Sequence, residues 1–501
     1  MKEYTLLEKE KSFDILILAE GTYPYVRGGV SSWIHHLISI FPEYKFGIVF
    51  LGSKKEDYGE VQYTFPENLV YLKAVFIFDF AYFKIKKGLK IKKSTIEDVF
   101  KLHKWYKGLE PNFPPVFHSP RTFYEDLEAD KFLYSRDSFD FIVQNYLQSA
   151  KELPFIDYFW QIRNLHLPVL ESSKICKLDF KCKVIHSPST GYAGFLGSLL
   201  SYDRNIPFIL TEHGIYVRER KIDIFSQEDN IYGYNLFSSD KSKLDIKKIW
   251  ISLFEGLAKI TYNRAFKIVS LFPKARDIQV KIGAPKEKCL VIPNGINLGI
   301  FKKEKQQRKN VIVNIGRVVK IKDIKTFIKA MGVLLTKKKD VEGWIVGPTE
   351  EDEEYARECL DLVAALGLED KIKFLGFRKP EEILPGVKLL TLTSISEGMP
   401  LVILEAFACG VPVVATDVGA CKDLIYGQEG EDKALGKAGE IVPLASPKEI
   451  ARVYLDFLVD REKWQKASLV AQKRVHTFYS QKVFYNNYKM LYQEALSKWP
   501  V

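Results

Sequence analysis

A repeated order of short apolar run, polar loop and helical segment constrains the fold of this chain more than any other feature of its sequence. The predicted strands of a first series lie at 13–19, 184–186, 207–211 and 267–271, and those of a second at 311–316, 343–347, 371–376, 389–393 and 412–417. Short buried strands that alternate with helices are typical of parallel sheets with right-handed crossovers. The pattern predicts an α/β protein.

Turns and charge divide the 501-residue chain. The turn Pro293, Asn294 and Gly295 precedes the charged run 302–309, which we interpret as a linker. We therefore expect an N-terminal domain over 1–300, a C-terminal domain over 301–477, and an amphipathic helix over 478–501 that crosses back to the first domain. The aromatic and lysine-rich region of about 55–175 lacks a βα rhythm, and we interpret it as an insertion in the N-terminal domain.

The composition, 47% hydrophobic and 27% charged, excludes disordered and fibrous classes. The net charge of +11 fits a protein that handles anionic ligands or rests near an anionic membrane surface, and no nucleic-acid partner is expected. Six cysteines include no C-x-x-C pair, so a disulfide scaffold or a structural zinc site is not expected.

The N-terminal segment has no apolar core of a secretory signal, and the longest apolar stretch, 69–83, is interrupted by Lys73 and Asp79. We therefore expect a cytoplasmic protein. Six lysines in the decapeptide 84–93 follow the aromatic stretch 74–83. Segment 74–93 is either a peripheral contact with the inner face of the membrane or a solvated surface.

Polar residues that follow predicted strands are candidates for ligand binding, because open α/β sheets bind ligands beyond the carboxyl ends of their strands. Arg317 follows the strand that ends at Gly316, and Lys322 lies five residues further on. Two cations there suit a diphosphate, although two solvated charges are an equal alternative.

Glu397 and Glu405 follow the strand 389–393. Pro400 can start a helix whose free amides hold a phosphate, with Glu397 in the loop before it and Glu405 inside it. Carboxylates accept hydrogen bonds from vicinal hydroxyls such as those of ribose or a hexose. The alternative is a capping glutamate and a glutamate on the helix surface.

Gly28 and Gly29 after the first strand would let backbone amides approach a phosphate, although turns use glycine routinely. His213, after the strand 207–211, would orient a substrate or move a proton, although a structural histidine is more frequent. The chain has no G-x-G-x-x-G, P-loop, G-x-S-x-G or H-E-x-x-H motif and no D-x-D, so no metal is indicated.

Several segments together resemble the retaining glycosyltransferases of family 4, which have the GT-B fold. The strongest match is E-x7-E, from Glu397 to Glu405 within SEGMPLVILEAFACGVPVVATDVGA, supported by GRVVKIKD, PNG and the N-terminal GGV. EGTYPYVRGGVSSWIHHL and LTEHGIYVRERKIDI are similar to the PelF-like subgroup of Pel-type exopolysaccharide synthesis. The resemblance implies two Rossmann-like domains that face each other across a cleft, with no cofactor, no metal and a UDP-sugar as donor.

The resemblance also implies roles for single residues. Arg317 and Lys322 would hold the diphosphate, Glu405 the ribose and Glu397 the transferred sugar. Further donor contacts are implied for Gly398, Met399, Pro400 and Leu401 at the sugar, Gly376 and Arg378 near the base, and Gly28 and Gly29 on the phosphates. His213 would orient donor sugar or acceptor, with Tyr216, Arg218 and Arg220 on the acceptor side.

The implied reaction moves a hexosyl unit from UDP-glucose or a UDP-N-acetylhexosamine to a growing exopolysaccharide, with retention of anomeric configuration. Components of an inner-membrane polysaccharide synthase are the expected partners. The alternatives are a GT-B nucleotide-sugar epimerase or phosphorylase and a nucleotide-sugar-sensing scaffold of the synthase. Two departures from the family pattern are Asn297, where aspartate is usual after PNG, and Met399, where glutamine is frequent.

Overall fold

The computed structural model describes residues 2–79, 88–108, 110–226, 240–301 and 308–498, which form two compact units. The first unit consists of Met1–Ser270, Ala275–Val291 and Met490–Val501, and the second of Leu271–Lys274 and Ile292–Lys489. The sequence analysis placed the boundary between the two domains at residue 300, whereas the structure groups the residues from Ile292 onward with the second unit. Most of the proposed linker, 302–307, and residues 499–501 of the last predicted helix lie outside the described residues.

The first unit is built on a sheet that has eight strands within the described residues, in the order β1-β4-β3-β2-β5-β6-β7-β8. These strands are β1 Lys2–Glu8, β2 Ser12–Glu20, β3 Phe46–Gly52, β4 Leu69–Phe76, β5 Lys181–Ser187, β6 Phe208–Glu212, β7 Lys267–Ser270 and β8 Cys289–Val291. All neighbours pair in parallel except β1, which runs antiparallel to β4 at the edge. The sheet confirms the predicted parallel α/β class.

Helices cover this sheet and add a layer beyond it. They are α1 Gly29–Ile40, α2 Lys93–Tyr106, α3 Ala129–Tyr134, α4 Arg136–Ser149, α5 Phe155–Ser173, α6 Gly191–Arg204, α7 Tyr216–Ser226, α8 Asp240–Arg264 and α9 Pro273–Ile282. Buried apolar residues of α2 to α5 belong to the same core as those of the sheet, with Phe132, Phe141 and Leu170 each at most 1% exposed. The helical region is therefore continuous with the sheet core.

The expected insertion of about 55–175 needs a correction at its start. Residues 69–76 form β4, a strand of the main sheet. Lys73 is its one partly exposed residue, and the other residues of the strand are buried. Residues 93–173 form α2 to α5, the part without a βα rhythm. Residues 80–87 of the basic segment 74–93 lie outside the described residues, so its proposed membrane contact stays a prediction.

The second unit has a sheet of six strands within the described residues, in the order β11-β10-β9-β12-β13-β14, all parallel. These strands are β9 Val311–Ile315, β10 Glu342–Val346, β11 Ile372–Phe374, β12 Leu389–Leu392, β13 Val413–Thr416 and β14 Gly439–Val442. The helices are α10 Ile324–Leu335, α11 Glu353–Ala365, α12 Pro380–Ile383, α13 Leu401–Ala408, α14 Cys421–Tyr426, α15 Glu431–Ala434, α16 Pro447–Val459 and α17 Arg461–Phe478. The doubly wound order confirms the second Rossmann-like unit.

The last helix, α18 Gln481–Leu496, belongs to the second unit up to Lys489 and to the first unit from Met490. Its apolar stripe is buried as predicted, with Phe484, Tyr488 and Tyr492 each at most 2% exposed. Within the first unit, the Tyr492 hydroxyl lies 2.8 Å from Nδ1 of His186 at the end of β5.

Candidate functional site

The strand order of the second unit reverses between β9 and β12, which are adjacent in the sheet but not in sequence. Doubly wound sheets bind ligands in the crevice beyond the carboxyl ends of the strands at this switch point. The loop after β9 carries Gly316, Arg317 and Lys322, and the loop after β12 carries Glu397. These candidate residues of the second unit therefore lie where the topology favours a ligand.

Lys322 and Glu397 form an ion pair at this position, with 2.6 Å between Lys322 Nζ and Glu397 Oε1. The side chains are 22% and 10% exposed. The hydroxyl of Ser394 donates a hydrogen bond of 2.6 Å to the same carboxylate oxygen. A Cβ at Gly316 would lie 3.7 Å from Lys322 Cε, so the lysine chain runs beside the end of β9. The ammonium is thus held close to the sheet edge rather than free in solvent.

Backbone contacts fix the turn that carries Lys322. The hydroxyl of Thr393 donates to the carbonyls of Lys322, at 3.1 Å, and Asp323, at 2.9 Å. Asp323 has a left-handed backbone, with φ of 45°, and its carboxylate accepts from the amide of Thr326 as the N-cap of α10. The amide of Ile395 donates to the carbonyl of Ile321 at 2.9 Å. The loops after β9 and β12 are therefore joined.

The turn after β13 supports the Glu397 loop from the other side. Gly419 has φ of +54°, and a Cβ there would lie 2.3 Å from the carbonyl oxygens of both Glu397 and Gly398. The amide of Ala420 donates to the Gly398 carbonyl at 2.9 Å. Only glycine satisfies both the left-handed backbone and this close approach, so Gly419 positions the loop.

Helix α13 begins beyond this loop. Pro400 is its N-cap rather than its first helical residue, and no side chain caps the helix, which starts at the half-buried Leu401. The free amides of such a helix start suit an anion. Met399 is buried, and its sulfur accepts a hydrogen bond from the amide of Asn294 at 3.3 Å. The Met399 thioether thus makes a structural contact with the backbone, at a position where the family pattern frequently has glutamine.

Glu405 lies on α13 with only part of its surface exposed. Burial, followed by the neighbouring carboxylate of Glu381, raises the pKa of Glu405 to about 7. A carboxylate on the surface of an isolated helix would keep a pKa near 4.3. The structure therefore disfavours the alternative of a fully solvated glutamate and gives a carboxyl that is half ionised near neutral pH.

Arg317 does not join the Lys322 pair in this structure. Its guanidinium forms an ion pair with Glu351, and both side chains are about half exposed. Gly376 and Arg378 lie exposed after β11; the Gly376 carbonyl accepts from the amide of Gly347 at 3.0 Å, and Arg378 donates to the Phe377 carbonyl. To reach a ligand beside Lys322, Arg317 would therefore have to leave Glu351.

Asn297, one of the two departures from the family pattern, caps a short turn. Its side-chain oxygen accepts a hydrogen bond of 2.9 Å from the amide of Gly299 and caps the short turn Leu298–Ile300. An amide oxygen performs this capping as an aspartate would. The missing charge therefore does not prevent the turn from forming.

In the first unit, the loop after β2 leads into α1. Gly28 is the N-cap of α1 with extended backbone, and Gly29 is the first helical residue. A Cβ on either glycine would meet nothing within 4 Å. The local fold therefore does not require glycine at these two positions, and a close-approaching ligand would be a separate reason for them.

His213 follows β6 and packs edge-on against Trp33, with ring centroids 4.5 Å apart. Burial lowers the pKa of His213 to about 3, so the imidazole is neutral at pH 7. Its Nε2 is buried without a hydrogen-bond partner among the described residues. A neutral imidazole can donate or accept a hydrogen bond but has no imidazolium proton to transfer.

Two glutamates that the sequence analysis missed hold Tyr216 in the first unit. The Tyr216 hydroxyl donates 2.7 Å to Glu20 at the end of β2, and its amide donates 3.2 Å to Glu212 at the end of β6. Glu212 also accepts from Tyr262 and Gln279, and burial raises its pKa to about 7 despite these bonds. Each glutamate is the last residue of its strand. An acidic residue at the end of a predicted strand is the sequence signal that would have identified both.

A cavity of about 430 Å³ opens beside Glu20, and we call it the aromatic cavity. Its aromatic lining consists of Tyr58, Phe78, Tyr192, Tyr216, Trp250 and Phe254. Arg220 lines it as well, with its guanidinium 5.2 Å from the Tyr216 ring centre. Arg218 is exposed and does not line it. Aromatic faces with a few charged groups are the usual composition of a small-molecule site.

Among the described residues, no cluster of histidine, cysteine and acidic side chains has the arrangement of a metal site. In the same part of the chain, no helix is both long and apolar enough to cross a bilayer.

The comparisons with known proteins agree with this architecture. Residues 298–474 match the family described as glycosyl transferases group 1, and together with the two parallel-sheet units this defines the class, a glycosyltransferase of the GT-B fold. The larger match gives the particular family. Residues 13–287, more than half of the chain, match the family described as Domain of unknown function (DUF3492), and the chain belongs to it. No curated protein matches the chain.

Solved structures share the fold over nearly the whole chain. HepE of Anabaena, in complex with UDP and glucose, has a TM-score of 0.56 at 14% identity over 96% of this chain and 99% of that one. Sucrose-phosphate synthase from Thermosynechococcus elongatus has a TM-score of 0.57 at 15% identity over 97% and 99% of the two chains. A glycosyltransferase from Rickettsia africae has a TM-score of 0.52 at 14% identity over 97% and 99%.

Proposed function

We propose that the protein is a retaining glycosyltransferase that moves a hexosyl unit from UDP-glucose or a UDP-N-acetylhexosamine to a growing exopolysaccharide, without a metal. The observation that carries this proposal is the Lys322–Glu397 ion pair beyond the strand ends at the switch point. The UDP and glucose bound by HepE of Anabaena support a UDP-sugar as the donor. The segments that resemble the PelF-like subgroup support an exopolysaccharide as the acceptor.

The donor-side roles follow from charge. Lys322, held in place by Glu397, and Arg317, once released from Glu351, would meet the diphosphate together with the free amides of α13. Glu405 would accept hydrogen bonds from the ribose hydroxyls, and Glu397 from the transferred sugar. Gly376 and Arg378 would lie near the base.

The proposed reaction requires the protein mainly to stabilise the charge that develops on the leaving group. The bond between the anomeric carbon and the diphosphate breaks, and charge develops on the leaving phosphate. Preorganised cations and amides lower the energy of this charge without reorganising during the reaction. The acceptor oxygen bonds to the anomeric carbon on the face that the diphosphate leaves, and the leaving phosphate takes the proton of that hydroxyl. The configuration is therefore retained, and no nucleophilic side chain takes part.

The acceptor would bind in the aromatic cavity of the first unit. Its volume of about 430 Å³ and its aromatic faces suit sugar rings, and Glu20 and Arg220 supply polar partners for hydroxyls. Tyr216 and Arg220 were predicted on the acceptor side from the sequence, and both line this cavity. The neutral His213 would hydrogen-bond a hydroxyl of donor or acceptor.

The deciding experiment combines binding and product analysis. Calorimetry against UDP, UDP-glucose and UDP-N-acetylglucosamine is followed by NMR of the product formed with an oligosaccharide acceptor. We expect micromolar binding of UDP, release of UDP that depends on acceptor, and a product with the donor's anomeric configuration. Sugar isomerisation without acceptor would indicate an epimerase, phosphate-dependent turnover a phosphorylase, and binding without turnover a scaffold. A flat response to UDP would contradict the proposal.

The raised pKa of Glu405 predicts a pH-dependent affinity for uridine. Below its pKa of about 7 the carboxyl is protonated, and above it the carboxylate accepts stronger, charge-assisted hydrogen bonds from ribose. We expect the affinity for uridine to rise by up to about tenfold between pH 6 and pH 8. Uridine carries no phosphate, so no phosphate titration enters. Calorimetry with Glu405→Gln should give a flat profile; a pH dependence unchanged by this substitution would remove Glu405 from the ribose site.

Alanine at Gly28 or Gly29 separates ligand contact from folding. Because a Cβ at either position meets open space, we expect melting temperatures unchanged from the parent. If the backbone approaches the donor phosphates closely, the added methyl group should lower turnover at least tenfold. Thermal unfolding and UDP-release assays test the two expectations. Full turnover in both variants would exclude these glycines from the donor site.

Arg220→Met tests the acceptor cavity, with Arg218→Met as a matched control on the same helix. Arg220 lines the cavity and Arg218 does not. We expect about a tenfold rise in the acceptor KM for Arg220→Met, with the donor Kd unchanged, because a charged hydrogen bond is lost. Equal acceptor kinetics in the two variants would place the acceptor elsewhere.

A further inference from the structure

A second cavity, of about 350 Å³, lies within the helical region of the first unit, and we call it the apolar cavity. Its lining is mainly hydrophobic and includes Val99, Leu102, Phe123, Leu153, Leu165 and Leu253. Close-packed interiors contain few voids much larger than a water molecule. Water is a poor occupant here, because a buried water needs two to four polar partners. The cavity is therefore suited to an apolar ligand.

The aromatic and apolar cavities are separate sites that share a wall. Helices α5 and α8 contribute different residues to each cavity. Leu165 and Leu253 line the apolar cavity, whereas Leu167 and Trp250 line the aromatic cavity. Leu165 and Leu167 are about 200° apart around α5, and the two cavities have no lining residue in common. The apolar cavity thus lies outside the acceptor site proposed above.

The polar groups at its rim have a distinct charge pattern. Lys248 is paired with Asp245 at 2.9 Å. Lys107 instead donates 2.6 Å to the hydroxyl of Ser149, a neutral group, and no carboxylate of the described residues forms an ion pair with it. Lys107 and Ser149 are solvent-exposed and line the cavity, so they mark an end that opens to solvent. Glu152 is a further exposed charged residue of the lining. Because Lys107 has no ion pair with a carboxylate of the described residues, the rim offers its cation to an anionic group at the mouth.

The inner polar groups are neutral, and two of them bond to each other. The buried Tyr158 hydroxyl also lines the cavity and has no hydrogen-bond partner among the described residues. The Nε2 atoms of His103 and His166 lie 2.9 Å apart, and Nδ1 of His166 lies 2.7 Å from the carbonyl of Ile162. His166 therefore donates from Nδ1 and accepts at Nε2 from His103, so both rings are neutral. Burial lowers both pKa values, in agreement with this assignment. The inner wall thus presents no charge to a ligand.

We propose that this cavity binds a single-chain carboxylate amphiphile, with its hydrocarbon chain inside and its carboxylate at Lys107. A methylene group occupies about as much space as a water molecule, roughly 30 Å³, so the cavity accommodates a chain of roughly ten carbons. Two acyl chains of a membrane lipid exceed this volume. A fatty acid of medium length is the simplest ligand with these properties.

The experiment is calorimetry of the full chain with sodium decanoate, 1-decanol and sodium butanoate below micelle-forming concentrations. We expect micromolar binding of decanoate, weaker binding of decanol, and no measurable heat with butanoate. Lys107→Met should weaken decanoate binding about tenfold and leave decanol unchanged, because only the carboxylate uses the cation. Lys104→Met, in the last turn of α2 just before Lys107 and outside the cavity lining, is the control and should bind as the parent does.

Filling the cavity gives an independent test. Val169 lines it, and Val169→Phe should abolish decanoate binding while the melting temperature stays equal or rises, because the ring fills an existing cavity. Decanoate binding that survives both Val169→Phe and Lys107→Met would overturn the proposal, as would equal affinity for decanoate and butanoate. These measurements use no nucleotide sugar, so their outcome is independent of the proposed glycosyl transfer.

Discussion

Lys322→Ala is expected to lower UDP-sugar turnover by a factor of about 10²–10³, the usual cost of removing one preorganised electrostatic contact from a transition state. The ammonium lies beyond the end of β9 and is largely shielded from water by its neighbours, with 22% of the side chain exposed. A charge in such a position acts through a lower effective dielectric than in bulk water. Its loss should therefore appear mainly in kcat at saturating donor, measured by UDP release.

Two variants separate the effect of the lost cation from that of its partner. Lys320→Ala removes an exposed lysine from the same turn and should turn over as the parent does. Lys322→Ala also leaves Glu397 without its ion pair, which could repel the diphosphate. The double variant Lys322→Ala with Glu397→Gln removes that repulsion, and we expect turnover to stay low. Recovery of turnover in the double variant would mean that Lys322 serves only to neutralise Glu397.

The sequence predicted the framework of this site better than its contacts. The strands β9 and β12 were predicted because each is a short, mainly apolar run followed by glycine or polar residues, and local patterns of this kind indicate where a strand ends. The pairing of Lys322 with Glu397 instead joins positions 75 apart through the sheet order. The sequence placed Arg317 beside Lys322, whereas in the structure Arg317 pairs with Glu351.

The first unit shows where local patterns fail. The strand β4 was assigned to the insertion because the region of about 55–175 shows no βα rhythm, yet residues 69–76 are a buried run in which only Lys73 is partly exposed. The aromatic cavity was beyond prediction for a different reason. Its walls come from β2, α5, α7 and α8, which are separated by long stretches of sequence. Only Tyr216 and Arg220 were named beforehand, on the strength of a resemblance.

Asp432→Ala is expected to destabilise the second unit by about 3–5 kcal/mol, because it leaves a buried guanidinium without its counter-charge. Arg474 is 0% exposed, and its Nε lies 2.6 Å from Asp432 Oδ1. The other carboxylate oxygen of Asp432 accepts from the amide of Gln428 at 2.8 Å. Alanine would remove both contacts at once. Urea denaturation followed by circular dichroism measures the loss.

The same guanidinium ties together the segment that follows the site. Arg474 donates to the carbonyl of Ile425 at 2.7 Å and to that of Gly436 at 2.8 Å. Ile425 lies on α14, which begins one residue after the Gly419–Ala420 turn that contacts the Glu397 loop. We therefore expect thermal inactivation of turnover in Asp432→Ala to follow the loss of stability.

Asp456→Ala is the control for this prediction, because Asp456 pairs with Arg452 and Lys463 at the surface, where ion pairs contribute little. Its urea midpoint should stay close to that of the parent. Equal midpoints for Asp432→Ala and Asp456→Ala would mean that the carbonyls around Arg474 hold the buried charge without a carboxylate. A lower midpoint for Asp432→Ala alone would establish that the buried pair, 42 positions apart in sequence, anchors α14 behind the Glu397 loop.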